Sequence, residues 1–449
     1  LFFINSCSTE SYEEQDVRTI EDWGNEYKWF TKQTNSYNSD YGKSITIDSK
    51  GNIFFLGHTG GGVGTKDSFY GNKIYDSDIF IIKYNLYFER QWVKTISANS
   101  SEGGNAENAV DIEIDSNDNL IILGHGTGYF DNSTGGGDKA FLLKYNNNGD
   151  KIFAKQTDLS ISAGYGKISL DNENNIYFLS QGKLIKYNTN FELQWEKNFE
   201  GSSPQGGKSI AVDINNNLYL AGNYDNSSSG VSHYFRSEIL LRKYNSSNGN
   251  QIWERKFPIL DDSGTAVTTD RNGNIYISGR TQWTEDNVTS GVNGEEIIGG
   301  YSDGFLAKYN SNGDRLWTKI FGSSDGREEV TEIKSDSSNN IYITGYTTGS
   351  LEAGYIAINR DIFLIKYNSQ GNQIWSRQLG SSKSNVSQSI DLYTANEEVF
   401  GLAIDSSNKR IYLVGYTQGD LDGNVLTYSG SSSINSIDAF ITRTMNIDY

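Results

Sequence analysis

Five acidic residues recur at one position of a repeated sequence pattern. Each lies eight residues before an aspartate that begins a turn, and they are Asp40, Glu107, Asp262, Glu328 and Glu397. Carboxylate oxygens are hard ligands of the kind that Ca²⁺ takes. If the repeats close into a ring around a central channel, these carboxylates would lie near the mouth of that channel and could form a binding or cation site. Each carboxylate could instead cap the amides of its own loop, and recurrence in the repeat favours this second interpretation.

Two histidines also share one position of the pattern. His58 and His125 follow the glycine of "FLGH" and "ILGH" in adjacent copies, and two imidazoles with a carboxylate can bind a transition metal. The spacing suggests no third ligand. We therefore interpret both as exposed histidines in loops, and whether any metal is bound stays open.

Short motifs for catalysis give little support for an enzyme. The chain contains neither HExxH nor the phosphate-binding GxxxxGK[ST], and its three histidines are few for acid–base chemistry. We predict no catalytic residue and no cofactor, with Ca²⁺ as the one ion that the carboxylates could bind. A hydrolase or lyase that uses loop carboxylates remains an alternative, because a repeat fold can support chemistry without a short motif.

Composition restricts the class of partner. The 449 residues include 38 Lys and Arg against 56 Asp and Glu, a net charge of −18. Such a charge repels phosphate backbones, so nucleic acid is not an expected partner. With one cysteine, Cys7, the chain has no internal disulfide. Abundant Gly and Tyr with only two Pro suit strands joined by tight turns.

The acidic and histidine positions belong to a unit that occurs seven times. Each copy reads as a strand, a turn beginning with Asp and a second strand ending in Gly, as in "SITIDSKGNIFFLGHT" at 44–59, which is a hairpin signature. A third strand and a fourth carrying Trp or Phe follow. The turn aspartates, which can accept from amides two residues on, are Asp48, Asp115, Asp171, Asp213, Asp270, Asp336 and Asp405.

A basic residue recurs in the third strand of every copy. The series consists of Lys83, Lys144, Lys186, Lys243, Lys308, Lys366 and Arg443. Because a functional site usually breaks the symmetry of its scaffold, this regularity predicts a structural role such as an internal ion pair.

The beginning of the chain completes its end. "GNEYKWFTKQ" at 24–33 has the form of a fourth strand, whereas the seventh copy ends after its third strand, "DAFITRTM" at 438–445. Pairing the two closes a ring and removes its open edges. We therefore predict an all-β, seven-bladed β-propeller of four-stranded antiparallel blades, closed by the N-terminal strand. A linear β-solenoid is the alternative, but it has no reason to take a strand from the far terminus.

The repeat resembles a named family. "GKSITIDSKGNIFFLGHT" from Gly42 and "DIFLIKYNSQGNQIW" from Asp361 are similar to the bacterial SBBP repeat, and the resemblance covers roughly residues 23–445. It implies a propeller in a secreted or surface setting and carries no catalytic residues. A second likeness, carried by "YNSSNGNQIWERKF", is to the repeat of quinoprotein dehydrogenases and of the propeller lipoprotein of outer-membrane assembly. In that repeat a Thr-Gly turn precedes a Trp, and this chain has Asn or Ser in place of the Thr.

Residues 1–22 are predicted to lie outside the propeller, which would span 23–449. "LFFINSC" reads as the last part of a signal sequence, and "INSC" resembles a bacterial lipobox, which implies cleavage before Cys7 and its lipidation. The acidic, Ser-rich segment that follows suits a solvated tether. These features predict an extracytoplasmic lipoprotein of the outer membrane or cell surface, held to the membrane only through this anchor.

Sequence variation concentrates on one face of the predicted ring. The segments between second and third strands differ widely in length, as at 58–77 and 280–302, and are rich in Gly, Asn, Ser and Tyr. Such loops favour binding. We predict a non-catalytic binding or scaffolding propeller that contacts a protein or glycan partner through this loop face.

Overall fold

The seven repeats form seven separate four-stranded antiparallel sheets, so the predicted propeller is confirmed. The structure, a computed structural model, describes residues 29–34, 39–60, 77–98, 106–130, 138–159, 161, 166–180, 182–198, 207–225, 237–257, 263–282, 298, 301–352, 359–380, 396–407, 409–418, 421 and 437–445. The part of the chain that it describes contains no apolar helix of membrane-spanning length.

Four strands follow one another in each blade. The first strands are β2 (Asp40–Ile47), β6 (Glu107–Ile114), β10 (Lys167–Leu170), β14 (Ser209–Val212), β18 (Ser263–Thr269), β22 (Glu328–Ser335) and β26 (Glu397–Asp405). The second strands are β3 (Ile53–Thr59), β7 (Leu120–Gly126), β11 (Ile176–Ser180), β15 (Leu218–Asp225), β19 (Ile275–Gln282), β23 (Ile341–Thr347) and β27 (Arg410–Thr417).

The outer half of each blade completes the sheet. The third strands are β4 (Asp78–Tyr84), β8 (Lys139–Tyr145), β12 (Lys183–Tyr187), β16 (Ser237–Tyr244), β20 (Ser302–Tyr309), β24 (Asp361–Tyr367) and β28 (Asp438–Met445). The fourth strands are β5 (Arg90–Ile96), β9 (Lys151–Gln156), β13 (Leu193–Asn198), β17 (Gln251–Phe257), β21 (Arg315–Phe321), β25 (Gln373–Leu379) and, for the seventh blade, β1 (Phe30–Gln33).

The first strands line the central channel. Each contacts the first strands of both neighbouring blades, in the cyclic order β2, β6, β10, β14, β18, β22, β26 and back to β2. The last blade has the strand order β1-β28-β27-β26. Phe30 pairs with Arg443 and Gln33 with Phe440, so the predicted closure by the N-terminal strand is confirmed.

Apolar side chains pack between neighbouring sheets. Phe54 and Leu56 of the first blade, for example, pack with Leu120, Ile122 and Phe141 of the second, all of them fully buried. Successive side chains of a strand face opposite sides of its sheet. Each sheet therefore contributes side chains to two apolar layers, one shared with the preceding blade and one with the following blade. Burial of this apolar area between blades is the main force that holds the ring together.

The turn aspartates hold the first hairpins as predicted. Asp270 is buried, and its Oδ1 accepts from the amides of Asn272 and Asn274, both at 2.9 Å. Its Oδ2 accepts from the hydroxyl of Tyr276 at 3.0 Å. A residue with positive φ follows in each turn, and it is Gly273 in this blade, with φ of 75°.

The recurring third-strand lysines have the predicted structural role. Lys144 Nζ lies 2.8 Å from Asp115 Oδ2 within its blade. Lys308 donates to the carbonyl of Ser369 in the next blade at 2.9 Å and lies 5.1 Å from the ring centroid of Tyr276. The lysines therefore join the turn of one blade to the outer turn of the next.

Candidate binding site on the loop face

One position of the second strand differs between blades while its neighbours repeat. The position follows a glycine and, in most copies, precedes a threonine or glycine. In six described blades the residues at this position are His58, His125, Asn223, Arg280, Tyr346 and Tyr416. The position lies at the end of the strand from which the predicted loops leave. A repeated scaffold with one varied side chain is the symmetry break expected of a functional surface.

The repeated glycine sets the spacing of this position. A Cβ at Gly57 would lie 2.4 Å from the carbonyl oxygen of Tyr41, and one at Gly415 would lie 1.9 Å from that of Glu398. The first strand therefore approaches closely where the second carries glycine. Tyr41 pairs with His58 in the register of the two strands, and Glu398 pairs with Tyr416.

A β-bulge adds a further residue to the site in several blades. The register of β2 with β3 shifts between Gly42 and Ser44, and that of β26 with β27 shifts between Val399 and Gly401. The extra residues are Lys43 and Phe400. A bulge changes the direction of a side chain without ending the strand, and here Lys43 Nζ lies 4.6 Å from the ring centroid of Phe400.

Aromatic rings contact one another and nearby cations at this end of the strands. The ring centroid of Tyr41 lies 5.2 Å from that of His58 and 5.4 Å from that of Tyr416, which joins the first blade to the seventh. The Arg360 guanidinium carbon lies 4.7 Å from the ring centroid of Tyr346, and Arg360 forms an ion pair with Glu398.

We name this surface the loop-face ring. On the fifth and sixth blades, Arg280 Nη1 lies 2.7 Å from Glu329 Oε2. Nearly all of the members are only partly buried, so the surface can be reached by a ligand. Lys208 belongs to the same surface, because burial lowers its pKa and the nearby charges of Glu329 and Arg280 act on it. The loop-face ring consists of Tyr41, Lys43, His58, His125, Lys208, Arg280, Glu329, Tyr346, Arg360, Glu398, Phe400 and Tyr416.

Burial sets the charge of the ring. It lowers the pKa of His58 to about 3, with Lys43 and His125 adding to the effect, so this imidazole is neutral at physiological pH. Burial also lowers the pKa of Lys43, which Glu398 partly offsets, and raises the pKa of Tyr41. The Nδ1 atom of His58 is buried and has no hydrogen-bond partner within the described chain. The ring thus offers aromatic faces, a neutral imidazole and fixed cations.

The interpretation of His58 and His125 as exposed loop residues was wrong. Both lie in strands, because the second strand continues past the glycine to the next residue. His125 is 7% exposed and its Nδ1 lies 2.8 Å from Asp138 Oδ1. Within the described residues, no three His, Cys, Asp or Glu side chains are grouped as a metal site.

Four of the five predicted carboxylates begin the first strands of their blades. Asp40, Glu107, Glu328 and Glu397 are at most 1% exposed. The amide of Glu107 donates to the carbonyl of Ser77 in the preceding blade at 2.7 Å, and that of Asp40 to Ile437 at 2.7 Å. Asp40 and Glu107 therefore lie where their first strands meet the preceding blade.

Two of these carboxylates accept hydrogen bonds close by. Glu328 Oε1 accepts from Ser323 Oγ at 2.9 Å and from Thr347 Oγ1 at 2.8 Å, and Glu397 Oε1 accepts from Thr417 Oγ1 at 3.0 Å. The cation site stays a prediction. Asp262, Cys7 and the predicted tether fall outside the described residues, as do most of the long loops.

A second cluster, missed by the sequence analysis, lies inside the channel. Lys167 Nζ lies 2.8 Å from Glu332 Oε2 and 3.9 Å from Asp111 Oδ1, and Lys334 Nζ lies 3.9 Å from Glu113 Oε1. We name these five residues the channel cluster. They border a cavity of about 240 Å³. The sequence does contain a sign of this cluster, because these five charged residues stand at two repeat positions that hold Ser, Thr, Ala or Gly in most other blades.

The channel cluster is largely self-satisfied. Asp111 accepts from Ser44 Oγ at 2.7 Å and from the amide of Ile168 at 3.0 Å. Burial raises the pKa of Glu113 to about 7, which Lys334 partly offsets. Burial alone would lower the pKa of both lysines, but the charges of Asp111 and Glu332 raise that of Lys167, and the charges of Glu113 and Glu332 raise that of Lys334. The arrangement neutralises charge in the channel rather than exposing it.

A family comparison matches three parts of the chain to one repeat. Residues 28–63, 260–282 and 316–352 match SBBP, described as a beta-propeller repeat. The chain is also 25% identical over 190 residues to an uncharacterised WD repeat-containing protein of Acanthamoeba polyphaga mimivirus. That match covers 37% of this chain and only 14% of the viral protein.

The chain is similar to two solved structures. A chain of the Mitotic Checkpoint Complex is similar over 98% of this chain and 99% of its own length, with 8% identity and a TM-score of 0.51. This likeness shows the fold alone. Virginiamycin B lyase from Staphylococcus aureus matches 93% of this chain and 99% of its own, with 12% identity and a TM-score of 0.49.

Proposed function

We propose that this chain, a protein of SBBP beta-propeller repeats, is a binding module that takes a protein or glycan partner on its loop-face ring. The observation that carries the proposal is the varied second-strand position, flanked by repeated residues and surrounded by Tyr41, Phe400 and Arg360. Tyrosine and arginine are favoured in binding surfaces because they bury large areas and donate hydrogen bonds at their tips.

Charge within the ring differs from charge on the molecule. The ring holds four basic residues, Lys43, Lys208, Arg280 and Arg360, and the acidic pair Glu329 and Glu398, in a chain of net charge −18. A local excess of cations on an acidic protein favours a partner with acidic groups at this site. Ion pairs with Glu329 and Glu398 already hold Arg280 and Arg360 in place, so these two side chains lose less conformational entropy when a partner binds.

A hydrolase or lyase is the second candidate, and the observation that favours it is Glu113. A carboxyl whose pKa is about 7 can move a proton near neutrality. The position of Glu113 argues against this role. Lys334 already pairs with the Glu113 carboxylate, and Lys167 pairs with Glu332 of the same channel cluster. Among the described residues, the carboxylates of the channel cluster meet inside the channel, where lysines pair with them, so binding remains our proposal.

Glycan and protein arrays probed with the purified full chain test the proposal. Tyr346→Ala and Tyr416→Ala should each weaken binding of a captured partner at least about tenfold, because each removes an aromatic face from the ring. Tyr87→Ala is the matched control, since Tyr87 is an exposed tyrosine outside the ring. Equal binding by all three variants would place the contact elsewhere, and failure to capture any partner would contradict the binding role.

A further inference from the structure

Lys43 lies between two aromatic side chains of the loop-face ring. Its Nζ is 5.5 Å from the ring centroid of Tyr41 in the same strand and 4.6 Å from that of Phe400 in the seventh blade. Burial lowers the pKa of Lys43 more than the charge of Glu398 raises it. The Glu398 carboxylate forms its ion pair with Arg360 instead. Among the described residues, the Lys43 ammonium has neither an ion pair nor a hydrogen bond.

Aromatic rings from two blades surround this lysine. The ring centroid of Tyr41 lies 5.2 Å from that of His58 and 5.4 Å from that of Tyr416. The centroid of Phe400 lies 5.9 Å from that of Tyr416. All four side chains are partly exposed, so a ligand can reach them. We name these four residues the aromatic wall, and it is continuous across the boundary between the first and seventh blades.

His58 adds a polar edge to the aromatic wall but no charge. Burial and then the charge of Lys43 lower the pKa of His58 to about 3, so the imidazole is neutral at physiological pH. His125, which also lowers this pKa, lies 2.8 Å from Asp138. A neutral imidazole can donate one hydrogen bond and accept another. An anionic group of a ligand beside the aromatic wall would therefore be neutralised by Lys43.

The composition of the loop-face ring favours a glycan over a protein as the source of this anionic group. Six of its twelve members are Lys, Arg or Glu, whereas the buried cores of protein interfaces are depleted of charged residues. A sugar ring presents C–H groups that pack on the negative face of an aromatic ring. Its hydroxyls form charge-assisted hydrogen bonds with side chains such as those of Arg360 and Glu398. A sugar that also carries a carboxylate supplies the acidic partner of Lys43.

We propose that the loop-face ring binds an acidic glycan, with a uronic-acid carboxylate on Lys43 and sugar rings on Tyr41, Phe400 and Tyr416. This inference rests on the binding role proposed above and names the class of its ligand. A carboxylate placed on Lys43 forms a charge-assisted hydrogen bond of about 2.7–2.9 Å. The net charge of −18 repels a densely sulfated chain more strongly than a uronic-acid chain, which carries at most one charge per sugar.

Isothermal titration calorimetry of the purified full chain tests the inference. The probes are oligosaccharides of galacturonate, of mannuronate, and of glucuronate with N-acetylglucosamine, each compared with its own methyl ester. Wild type should bind at least one of the acids and should bind the matching ester at least about tenfold more weakly, because the ester lacks the charge that Lys43 neutralises. This comparison uses wild type alone, so it does not depend on the folding of a variant.

Lys43→Met tests the role assigned to the ammonium. The variant keeps an unbranched side chain between the rings but has no charge, so it should bind the acid and the ester equally, and neither more tightly than wild type binds the ester. Lys50→Met is the matched control, because it removes the same charge from an exposed turn of the same blade. It should discriminate between acid and ester as wild type does.

The outcomes separate this inference from the binding role. Equal affinity of wild type for acid and ester, or discrimination that persists in Lys43→Met, would overturn the inference. Capture of a protein partner that Tyr346→Ala and Tyr416→Ala weaken, with no acidic glycan bound, would also overturn it while the binding role stands. Only a chain that binds neither proteins nor glycans would contradict both.

Discussion

Glu113 shows how the channel changes the behaviour of a single side chain. The residue faces Lys334 inside the cavity, yet burial dominates and raises its pKa to about 7. The folded chain therefore binds this proton more tightly than the unfolded chain, whose glutamates titrate at about 4.3. The stability that this proton contributes is fully present below the unfolded pKa and is lost as pH rises through about 7.

Replacing Glu113 by Gln should remove this dependence. At pH 8 the variant should be more stable than wild type by on the order of 1 kcal/mol, because it no longer buries an ionised carboxylate. Near pH 5 the advantage should disappear. Urea unfolding at both pH values measures it, with exposed Glu173→Gln as the control. A difference between wild type and Glu113→Gln that does not change with pH would contradict the assignment.

Each first hairpin is stabilised by a buried aspartate and linked to its neighbours. The Asp270 carboxylate accepts hydrogen bonds from two backbone amides, from the side-chain amide of Asn274 and from the hydroxyl of Tyr276, all near its own turn. The amide of Arg271 donates to Asn339 Oδ1 in the turn of the sixth blade at 3.0 Å. One turn therefore supports both its own hairpin and the contact between blades.

Asp270→Ala should lower the free energy of unfolding by about 2–4 kcal/mol, because it leaves several buried donors without their acceptor. Asn272→Ala, at an exposed position of the same turn, should change stability by less than about 0.5 kcal/mol. The shift in urea midpoint measures both. A loss of similar size in both variants would mean that loop composition, and not the aspartate, holds the hairpin.

Closure makes the ring dependent on its N-terminal strand. Thr31 Oγ1 lies 2.9 Å from Thr442 Oγ1, so residues 411 positions apart meet. Gln33 Oε1 accepts from the amide of Leu421 at 2.9 Å, and Lys32 Nζ lies 5.4 Å from the ring centroid of Phe88 in the first blade. The strand β1 thus completes one blade while contacting the next.

Deleting residues 1–34 should lower the midpoint of thermal unfolding by at least about 5 °C, because the seventh blade loses a strand and β28 becomes an open edge. The exposed edge should also cause dimers that grow with concentration, which size-exclusion chromatography detects. Deleting only residues 1–22 should leave both properties unchanged. A midpoint unaffected by the longer deletion would show that the ring does not rely on this strand.

Sequence alone determined the hairpins, the seven blades, their four strands and the closing strand, because these follow from local signals. Period-two alternation marks a strand, Asp with Asn or Gly marks a turn, and the repeat shows how many units exist. The structural role of the third-strand lysines, such as Lys144, followed from their regular recurrence. Regularity was also the reason that the acids at Asp40 and Glu397 were expected near one another.

Only the tertiary structure decided which side chains meet. Lys167 and Glu332 are 165 positions apart and pair because the ring brings the third and sixth blades to one channel. The loop-face ring forms because glycine and bulges at the strand ends turn Lys43 and Phe400 toward each other. Such contacts depend on the curvature and radius of the closed ring, and no local pattern in the sequence encodes that distance.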